Sequence, residues 1–554
     1  MRKVIGYSII VDIETVVMKK FWKIIIAAVL CISSVMSAIP AYADENSDDD
    51  RNCVADDELK EIMESSVRLR MSCFSENGTD FPSEFISDAG NSYSDWYAVT
   101  LGRIGIRGDY GSYLALLRDY VERRYRTSEK LSAYAATEWH RISLTVLALG
   151  GDPTCFGTDA DGNSIDLIAD GTYNRSETAS LGAQGVNAYI WSLITLDSLG
   201  YEVPAESGDT RESMISAVLG SQLGDGGFSL DGKKSDIDIT AMALQALSPY
   251  REDKTVDAAA ERAVLYLSEE QTPSGDFISW GKRSLESIAQ VAVALCTLGI
   301  DPETDSRFIK DGNNIISSIM NYRADDGGFL RTYDTVPDKK ESSDYVATEQ
   351  ALRALCAFYR YRNGLRSFYD FRSETEAQTD GMLYGIFEGD IFSASSGFGE
   401  KEYSEYLALP ESPDGSYYTE VTRLYMKFLE AGSPEKYQDI SEGLAEKKRT
   451  VDRIYEEIEN LSNEISEKIY PVSELSADDR EMILSLTERA EKLSEYDRSR
   501  ISGIDDLYLA RDTVASENVR PVYIFAALCI LFITAALICL VYKKHKSTHT
   551  ENKN

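Results

Sequence analysis

Two neighbouring stretches of the sequence decide the fold. The first, Gln222-Leu-Gly-Asp-Gly-Gly-Phe228, has the glycines and the aspartate that are typical of a tight turn. The second, Asp236-Ile-Asp-Ile-Thr-Ala-Met-Ala-Leu-Gln-Ala-Leu247, begins with residues that cap helices and is then apolar on most faces. Together they predict a turn that leads into a buried α-helix.

This combination recurs along the chain at intervals of about fifty residues. Each of six segments has a polar starting residue, an apolar run of helical period and a stop; the starting residues are Asp95, Glu138, Asn187, Asp238, Glu286 and Asp344. We interpret them as helix N-caps, whose side chains accept hydrogen bonds from free backbone N–H groups. Charged, amphipathic segments lie between these helices and predict outer helices at residues 56–71, 111–125, 209–222, 254–270 and 306–322, with a short one near 164–169.

The turn before the inner helix carries a resemblance to a known family. The pattern Gln-x3-Gly-x-aromatic occurs at 222–228 and again at 271–277, and Gly-x-aromatic occurs at 171–173 and 327–329. It is similar to the repeat of squalene-hopene cyclases and protein prenyltransferases, which have Trp at the last position. The resemblance covers about residues 51–363 and implies an all-α fold, an (α/α)6 toroid of alternating outer and inner helices.

The resemblance also suggests a catalytic residue. Asp236-Ile-Asp-Ile-Thr-Ala241 matches most of the Asp-x-Asp-Asp-Thr-Ala motif with which the cyclases protonate their substrates. It would make Asp238 the proton donor with Asp236 beside it, although Ile239 replaces the last Asp of the motif. A carboxyl that protonates an alkene must be tuned by its neighbours. We therefore favour a helix cap at Asp238 over a catalytic acid.

Metal chemistry finds little support in the sequence. The prenyltransferases bind zinc through Asp, Cys and His, but His140 is the only histidine between the two ends of the chain, and no Asp-x-Cys occurs in the repeat region. A Ser-His-Asp site would need the same His140, which we expect to be packed in the core instead. A calcium loop is matched in part by Asp159, Asp161, Asn163 and Asp170. Its expected glycine is Ser164, so an acidic turn is the alternative.

The helix that starts at Asp238 also resembles those of the cobalamin carriers, such as intrinsic factor and transcobalamin. The toroid of those proteins is not catalytic, and a second, β-rich domain clamps their ligand. This sequence shows no such domain, so cobalamin is not implied and the cofactor is left unknown.

Aromatic residues cluster at the starts of the inner helices, where a toroid gathers them at one end of its cavity. They are Trp96, Tyr97, Trp139, Tyr189, Trp191, Trp280 and Tyr345. Aromatic walls with a few polar groups suit a flat or apolar ligand. Given the acidic chain, we expect that ligand to be neutral or cationic. Packing as core beneath the loops is the alternative.

Composition narrows the function classes. The net charge of −35 argues against nucleic acid as a partner, because phosphate binding needs a basic face. Hydrophobic residues make up 43% of the chain, which excludes a wholly disordered protein.

Cys53 and Cys73 flank one helical segment and are candidates for a disulfide, whereas we expect buried thiols at Cys296 and Cys356.

Both ends predict a membrane-bound location. Residues 1–43 contain a basic region, an apolar run and an Ala-x-Ala site, which is the pattern of a secretory signal peptide. The basic region begins at Met18, which we interpret as the true translation start. Residues 521–543 contain an uncharged apolar run long enough to span a bilayer. Lysines follow it, so the tail 544–554 is predicted to be cytoplasmic and the body extracellular.

The region between the repeats and the membrane is predicted to be mainly helical. Residues 364–430 are an extension of uncertain structure, and 431–520 form a helical stalk or coiled hairpin.

Three functions remain open. The favoured one is binding of a small molecule or surface partner without catalysis; the others are an enzyme using Asp236 and Asp238, and an adhesin or envelope-assembly protein.

Overall fold

The computed structural model describes residues 53–72, 83–106, 108–175, 177–332, 342–374, 398–470, 472 and 475–517, with eight positions between 528 and 538. The predicted signal peptide, most of the predicted span 521–543, the tail 544–554 and Cys73 lie outside the described residues. In the described part the regular structure is almost entirely α-helical, which confirms the all-α prediction. Its one two-stranded hairpin joins β1 (Ile278–Ser279) to β2 (Lys282–Arg283).

Six helices occupy the positions of the predicted apolar segments, and we call them the inner helices. They are α3 (Ser92–Ile104), α5 (Thr137–Ala148), α7 (Val186–Asp197), α9 (Ile237–Leu247), α11 (Leu285–Thr297) and α13 (Tyr345–Arg362). Most of their residues are buried. Each contacts the next along the chain, and α13 contacts α3, so the series of contacts returns to its start.

More amphipathic helices alternate with the inner ones, and we call them the outer helices. They are α1 (Asp56–Ser72), α4 (Tyr110–Tyr125), α6 (Leu167–Gly171), α8 (Arg211–Leu219), α10 (Lys254–Glu270) and α12 (Ile315–Asn321). Helices α6, α8, α10 and α12 contact the inner helix that precedes or follows them, and α1 contacts α13. The short α6 lies where the sequence predicted a short outer helix. A one-turn helix, α2 (Ser83–Ser87), precedes α3.

The N-caps are mostly not the residues that the sequence suggested. Only Asp344 caps its helix as predicted, by accepting the N–H of Ala347 at 2.9 Å. Helices α3, α9 and α11 are capped by Asn91, Asp236 and Ser284. In α5 and α7 no side chain caps the first turn. The predicted caps Asp95, Glu138, Asn187, Asp238 and Glu286 instead lie inside the first turns of their helices.

Hydrogen bonds explain the fixed spacing of the glutamine and glycine in these turns. The Gln222 side-chain Nε2 donates to the carbonyl oxygens of Gly226 and Ala259, both at 2.8 Å. Gly226 has φ +94°, and a Cβ there would lie 2.6 Å from the Arg262 carbonyl oxygen. The glutamine therefore joins the turn to helix α10, and only glycine fits four residues later.

The same turn recurs one repeat later. Gln271 Nε2 donates to the carbonyl oxygens of Gly275 and Phe308, both at 3.0 Å. The aromatic residue that ends each turn, Phe228 or Phe277, is fully buried. The repeat pattern thus fixes a turn that holds outer and inner helices together.

The chain after α13 returns against the inner helices. Phe368, Tyr369 and Phe371 are buried, and the Phe371 N–H donates to the Ser198 carbonyl oxygen at the end of α7, at 2.7 Å. Arg103 in α3 donates to the Ser367 carbonyl oxygen at 2.9 Å. The first part of the predicted extension 364–430 is therefore built into the core of the repeat region.

Six further α-helices follow within residues 398–517, and we call them the C-terminal helices. They are α14 (Glu400–Ala408), α15 (Tyr418–Glu430), α16 (Ser441–Lys468), α17 (Arg480–Glu491), α18 (Glu495–Ser499) and α19 (Ile504–Glu517). Helices α16, α17 and α19 share an apolar core around Leu461, Ile465 and Leu507. Helix α15 contacts the outer helix α4, so this region joins the repeats as well as forming its own bundle.

The predictions on membrane segments and cysteines fall partly on residues that the structure describes and partly on residues outside them. Within the described ranges, no helix combines the length and apolar character that crossing a bilayer requires. Because most of 521–543 lies outside those ranges, the predicted span stays a prediction, as does the Cys53–Cys73 disulfide. Cys296 and Cys356 are buried free thiols, as predicted.

Candidate functional site

A cavity of about 330 Å³ opens among the N-terminal halves of five inner helices, α3, α5, α7, α11 and α13. We call it the N-terminal cavity. Its volume lies near the lower end of the range for small-molecule sites. It is lined by aromatic rings, the charged side chains of Glu138, Arg141, Glu349 and Arg353, and several amide side chains. The cavity is therefore the first place to examine for function.

Two indole rings form the aromatic wall of this cavity. The ring centroids of Trp96 and Trp191 lie 5.1 Å apart, with the ring planes inclined at 47°. The Tyr369 ring, from the returning segment, stands at 86° to Trp191 with centroids 5.6 Å apart. Tyr345 also lines the cavity, and its ring meets the edge of Tyr93 with centroids 6.4 Å apart. The two indole rings therefore present an angled rather than a flat surface.

A buried ion pair lies beneath the wall. Arg353 Nη2 donates to both carboxylate oxygens of Glu349 at 2.7 Å, and Thr100 Oγ1 donates to Glu349 Oε1 at 2.6 Å. Arg353 also donates from Nη1 to the Tyr369 hydroxyl at 3.1 Å. Both charged side chains are about 5% exposed, so each neutralises the other where water cannot.

A second buried arrangement joins three helices beside the cavity. Arg141 in α5 pairs with Asp95 in α3, and it also reaches Glu138 on its own helix at 2.5 Å. Asp95 further accepts the Tyr113 hydroxyl at 2.7 Å and the Gly90 N–H at 3.0 Å. Burial raises the pKa of Asp95, although Arg141 and Tyr113 act against it. Asp95 thus ties helices together instead of capping one.

Two amide side chains stand out in the lining because of their buried oxygens. The side-chain oxygens of Asn187 and Gln350 are buried and accept no hydrogen bond from any residue that the structure describes. Buried amide oxygens are rarely left without a donor. These two groups are therefore the part of the cavity most in need of a partner.

Three of the seven predicted aromatic residues, Trp96, Trp191 and Tyr345, line the cavity. Tyr97 is buried behind them and stacks on Tyr345 with ring centroids 5.6 Å apart. Trp139 is buried as well, and its Nε1 donates to the Tyr125 hydroxyl at 2.7 Å. Tyr189 is half-buried outside the lining.

Trp280 lies far from the predicted arrangement, at the tip of the β1–β2 hairpin. Its side chain is 97% exposed, and its φ of +52° belongs to the left-handed region that bulky residues seldom adopt. Gly281 follows with φ +77°, so the turn has positive φ at both central positions. The sequence signal of an aromatic near a helix start could not reveal this outward placement.

Sequence reasoning missed the cavity residues Arg141, Glu349, Gln350 and Arg353. A signal for two of them was present, because Glu349 and Arg353 are four residues apart inside an otherwise apolar helix. Oppositely charged residues at that spacing share one helix face. Within a buried helix, such a pair marks a place where charge must be neutralised internally.

The two aspartates of the cyclase-like motif have different roles. Asp236 caps α9 by accepting the Ile239 N–H at 3.0 Å. Asp238 lies within the first turn, and its Oδ1 is buried without a hydrogen-bond partner in the described part of the chain. Burial raises its pKa to about 6, with Ser287 acting against the rise and Asp236 and Glu286 adding to it. Neither aspartate lines the N-terminal cavity.

The candidate calcium residues have partners within the protein. Asp159 Oδ1 accepts the backbone N–H groups of Asp161 and Asn163 at 3.0 and 2.8 Å, which makes a closed acidic turn. Asp170, in α6, accepts the Tyr125 hydroxyl at 2.8 Å and the Lys130 ammonium at 3.2 Å. Across the described ranges, no three His, Cys, Asp or Glu side chains are grouped as metal ligands.

His140 is packed in the core. Its Nε2 donates to the Gly171 carbonyl oxygen at 2.8 Å, and Ser192 Oγ lies 3.1 Å from the same nitrogen. Burial lowers its pKa to about 3, so the ring is neutral at physiological pH. It has the environment of a structural histidine, in line with the expectation of packing.

Comparisons with known proteins leave the assignment to this geometry. No protein-family model matches the sequence, and no curated protein gives a significant match. Support for the function therefore comes from the side chains that line the cavity, together with the repeat pattern.

A second cavity, of about 360 Å³, lies at the C-terminal ends of α7, α9 and α11. The returning segment lines it through Ser367, Tyr369 and Asp370. Gln245, on its wall, donates from Nε2 to Gln290 Oε1 of the N-terminal cavity at 3.4 Å. The two cavities thus lie at opposite ends of the inner helices, with Tyr369 and this glutamine pair between them.

Proposed function

We propose that the protein is a membrane-anchored extracellular toroid that binds a small uncharged ligand in the N-terminal cavity without catalysing a reaction. The observation that carries the proposal is the lining of that cavity. Aromatic rings and two amide oxygens without partners in the described part of the chain lie beside charged side chains that are held in ion pairs.

The toroid is supported by the contacts of the inner helices. Six buried helices of similar length contact each other in chain order, and the last contacts the first. Amphipathic helices alternate with them, and the Gln-x3-Gly-x-Phe turns occur between outer and inner helices. This is the arrangement that the resemblance to cyclases and prenyltransferases implies.

The absence of chemistry is supported by the state of the ionisable groups in the lining. Glu349 and Arg353 neutralise each other, and Arg141 is shared between Asp95 and Glu138. A general acid or base needs a titrating group that can reach the substrate. Groups held in such pairs bind and position a ligand better than they transfer protons.

The location is carried by the two ends of the sequence. A signal peptide at 1–43 and a membrane-spanning segment at 521–543 would place the repeats outside the cell and the lysines after 542 inside. Protease digestion of intact cells tests this part, since only an extracellular body is degraded while the tail 544–554 stays protected.

Native mass spectrometry of the full chain isolated from its own host tests the binding function. We expect a retained or recaptured small molecule, which is lost from the Trp96→Ala and Trp191→Ala variants. Trp280→Ala is the matched control, because it removes an equally large side chain that is almost fully exposed. An unchanged apo mass, after incubation with host extract as well, contradicts the proposal and favours adhesion through the outer surface.

A second candidate function is an enzyme that uses Asp238. The supporting observation is a carboxyl with a pKa near 6 and one oxygen without a partner in the described part. A group of that kind can act as an acid at neutral pH. Turnover of a captured ligand that is lost in Asp238→Asn, with ligand binding intact, would favour this candidate over the first.

A further inference from the structure

We propose that the ligand of the N-terminal cavity is a neutral saccharide. The inference rests on the proposed binding function and names its substrate class. It is argued from three properties of the lining: the angle between the rings, the amide groups and the balance of charge.

The ring geometry favours a ligand that is not flat. The Trp96 and Trp191 rings contact each other, with centroids 5.1 Å apart and planes inclined at 47°, so together they present one angled surface rather than a flat face. The Tyr369 ring packs against Trp191 at nearly a right angle and supports that surface without lining the cavity. A puckered ring with C–H groups on one face can pack on such an angled surface, and a pyranose has that shape.

The amide groups favour a ligand that both donates and accepts hydrogen bonds. Asn187 and Gln350 each offer an oxygen acceptor and an NH2 donor on one side chain. In the described part of the chain their oxygens are buried without a donor. A wholly apolar ligand would leave these groups unpaired, which costs free energy, whereas sugar hydroxyls can pair with both the oxygen and the nitrogen.

The charge balance favours a neutral ligand. Glu349 is matched by Arg353, and Arg141 is matched by Asp95, so no unmatched cation of the lining is left for a phosphate or a carboxylate. Glu138 is the remaining carboxylate of the lining, and it is held by the same Arg141 at 2.5 Å. Acidic sugars would face this carboxylate without a free cation.

The test is a titration of the purified full chain, in a detergent without a sugar headgroup, followed by tryptophan fluorescence and calorimetry. The probes are maltotriose, cellotriose and N,N′,N″-triacetylchitotriose. The comparison ligands are glucose 6-phosphate, farnesol and protoporphyrin. We expect saturable binding of at least one neutral trisaccharide and no binding of the other three compounds.

Variants locate the binding within the cavity. Trp96→Phe and Gln350→Ala should each weaken the binding of that trisaccharide about ten-fold, which corresponds to about 1.4 kcal/mol. Trp280→Phe should leave it unchanged, because that ring lies on the exposed hairpin. Circular dichroism melting curves check that each variant is folded, and Gln350→Ala serves if Trp96→Phe is not.

The outcomes separate the ligand class from the function. Binding of farnesol or protoporphyrin in a Trp96-dependent way, without any trisaccharide, overturns the saccharide inference and leaves the binding function standing. Trisaccharide binding that is lost in Trp280→Phe and kept in Trp96→Phe also overturns it, because the site is then the hairpin. No binding of any compound, together with an apo protein isolated from the host, overturns both proposals.

Discussion

Asp236 and Asp238 show how two identical residues, two positions apart, acquire different properties. Asp236 precedes α9, where free N–H groups need an acceptor, and its Oδ1 accepts the Ile239 N–H. Asp238 lies inside the first turn, where its carboxyl is mostly covered. The sequence could show that one of them caps the helix, but the pKa of Asp238 also depends on Ser287 and Glu286 of the neighbouring helix, which only the tertiary structure brings close.

The pKa of Asp238 leads to a prediction on pH. Burial raises this pKa from its ordinary value of 3.8 to about 6, so the folded state binds a proton more tightly than the unfolded state does. Stability should therefore fall as the pH rises from about 4 through 6. Asp238→Asn cannot ionise, so it should be more stable than the wild type at pH 7 by about 1–3 kcal/mol and similar to it at pH 4.

Chemical denaturation at pH 4 and pH 7 measures this difference. Asp236→Asn is the matched control, since asparagine caps helices nearly as well as aspartate and its stability should change little at either pH. An Asp238→Asn variant that loses stability at pH 7 would show that the carboxylate, not the neutral form, is the one the fold favours.

The buried pair of Glu349 and Arg353 gives a second prediction at this scale. Glu349→Ala leaves the arginine without its carboxylate at a site where both side chains are about 5% exposed, so unfolding free energy should drop by about 3–5 kcal/mol. Replacing both residues, as in Glu349→Leu with Arg353→Met, should cost much less. A double variant as unstable as the single one would mean that the pair contributes through its contacts with Thr100 and Tyr369 instead.

At the scale of elements, the turns were the most predictable part of the molecule. Gln-x3-Gly-x-Phe specifies a local hydrogen-bonding geometry, so the sequence alone located the turns and the buried helices that follow them. The helix starts were less predictable, because polar residues within a first turn can also bond to neighbouring helices. Asp95 is an example. Its position in the sequence is that of a helix cap, but its side chain pairs with Arg141 of the next inner helix, α5.

Gln271 provides the prediction at this scale. Its buried Nε2 donates to two carbonyl oxygens, one in its own turn at Gly275 and one at Phe308, in the segment that leads to the next outer helix, α12. Gln271→Ala leaves both oxygens without this donor, so we expect a loss of about 1–3 kcal/mol in the free energy of unfolding. Gln271→Glu tests the donor specifically, because it keeps the shape but replaces the NH2 group with an acceptor.

Urea denaturation followed by circular dichroism gives both values. The exposed Lys282→Ala, in the hairpin of the same loop, is the control and should change little. If Gln271→Ala proves neutral, the turn does not depend on the glutamine, and the physical reading of the repeat pattern is wrong.

At the scale of the whole molecule, the contact between the C-terminal helices and the repeats has no signature in the sequence. Asp119 in α4 accepts hydrogen bonds from the Lys448 ammonium at 2.6 Å and from the Tyr418 hydroxyl, which are 329 and 299 residues away along the chain. All three side chains are buried. Although burial alone would raise it, the pKa of Asp119 is lowered by Lys448 and Arg123.

Long-range pairs of this kind lie beyond sequence reasoning, because periodicity reports which face is buried but not what covers it. The predicted stalk is thus better described as a helical bundle that is fastened to one outer helix. The sequence predicted the cavity only through its aromatic residues. The ion pairs and amide groups of the lining come from several helices, which only the tertiary structure brings together.

The central claim is that the N-terminal cavity holds a small uncharged ligand, and an experimental density map of the full chain isolated from its host tests it most directly. The account predicts density for a bound molecule against Trp96 and Trp191, within hydrogen-bonding distance of Asn187 or Gln350. A cavity that contains only ordered water, or that is closed by rearranged side chains, would contradict it.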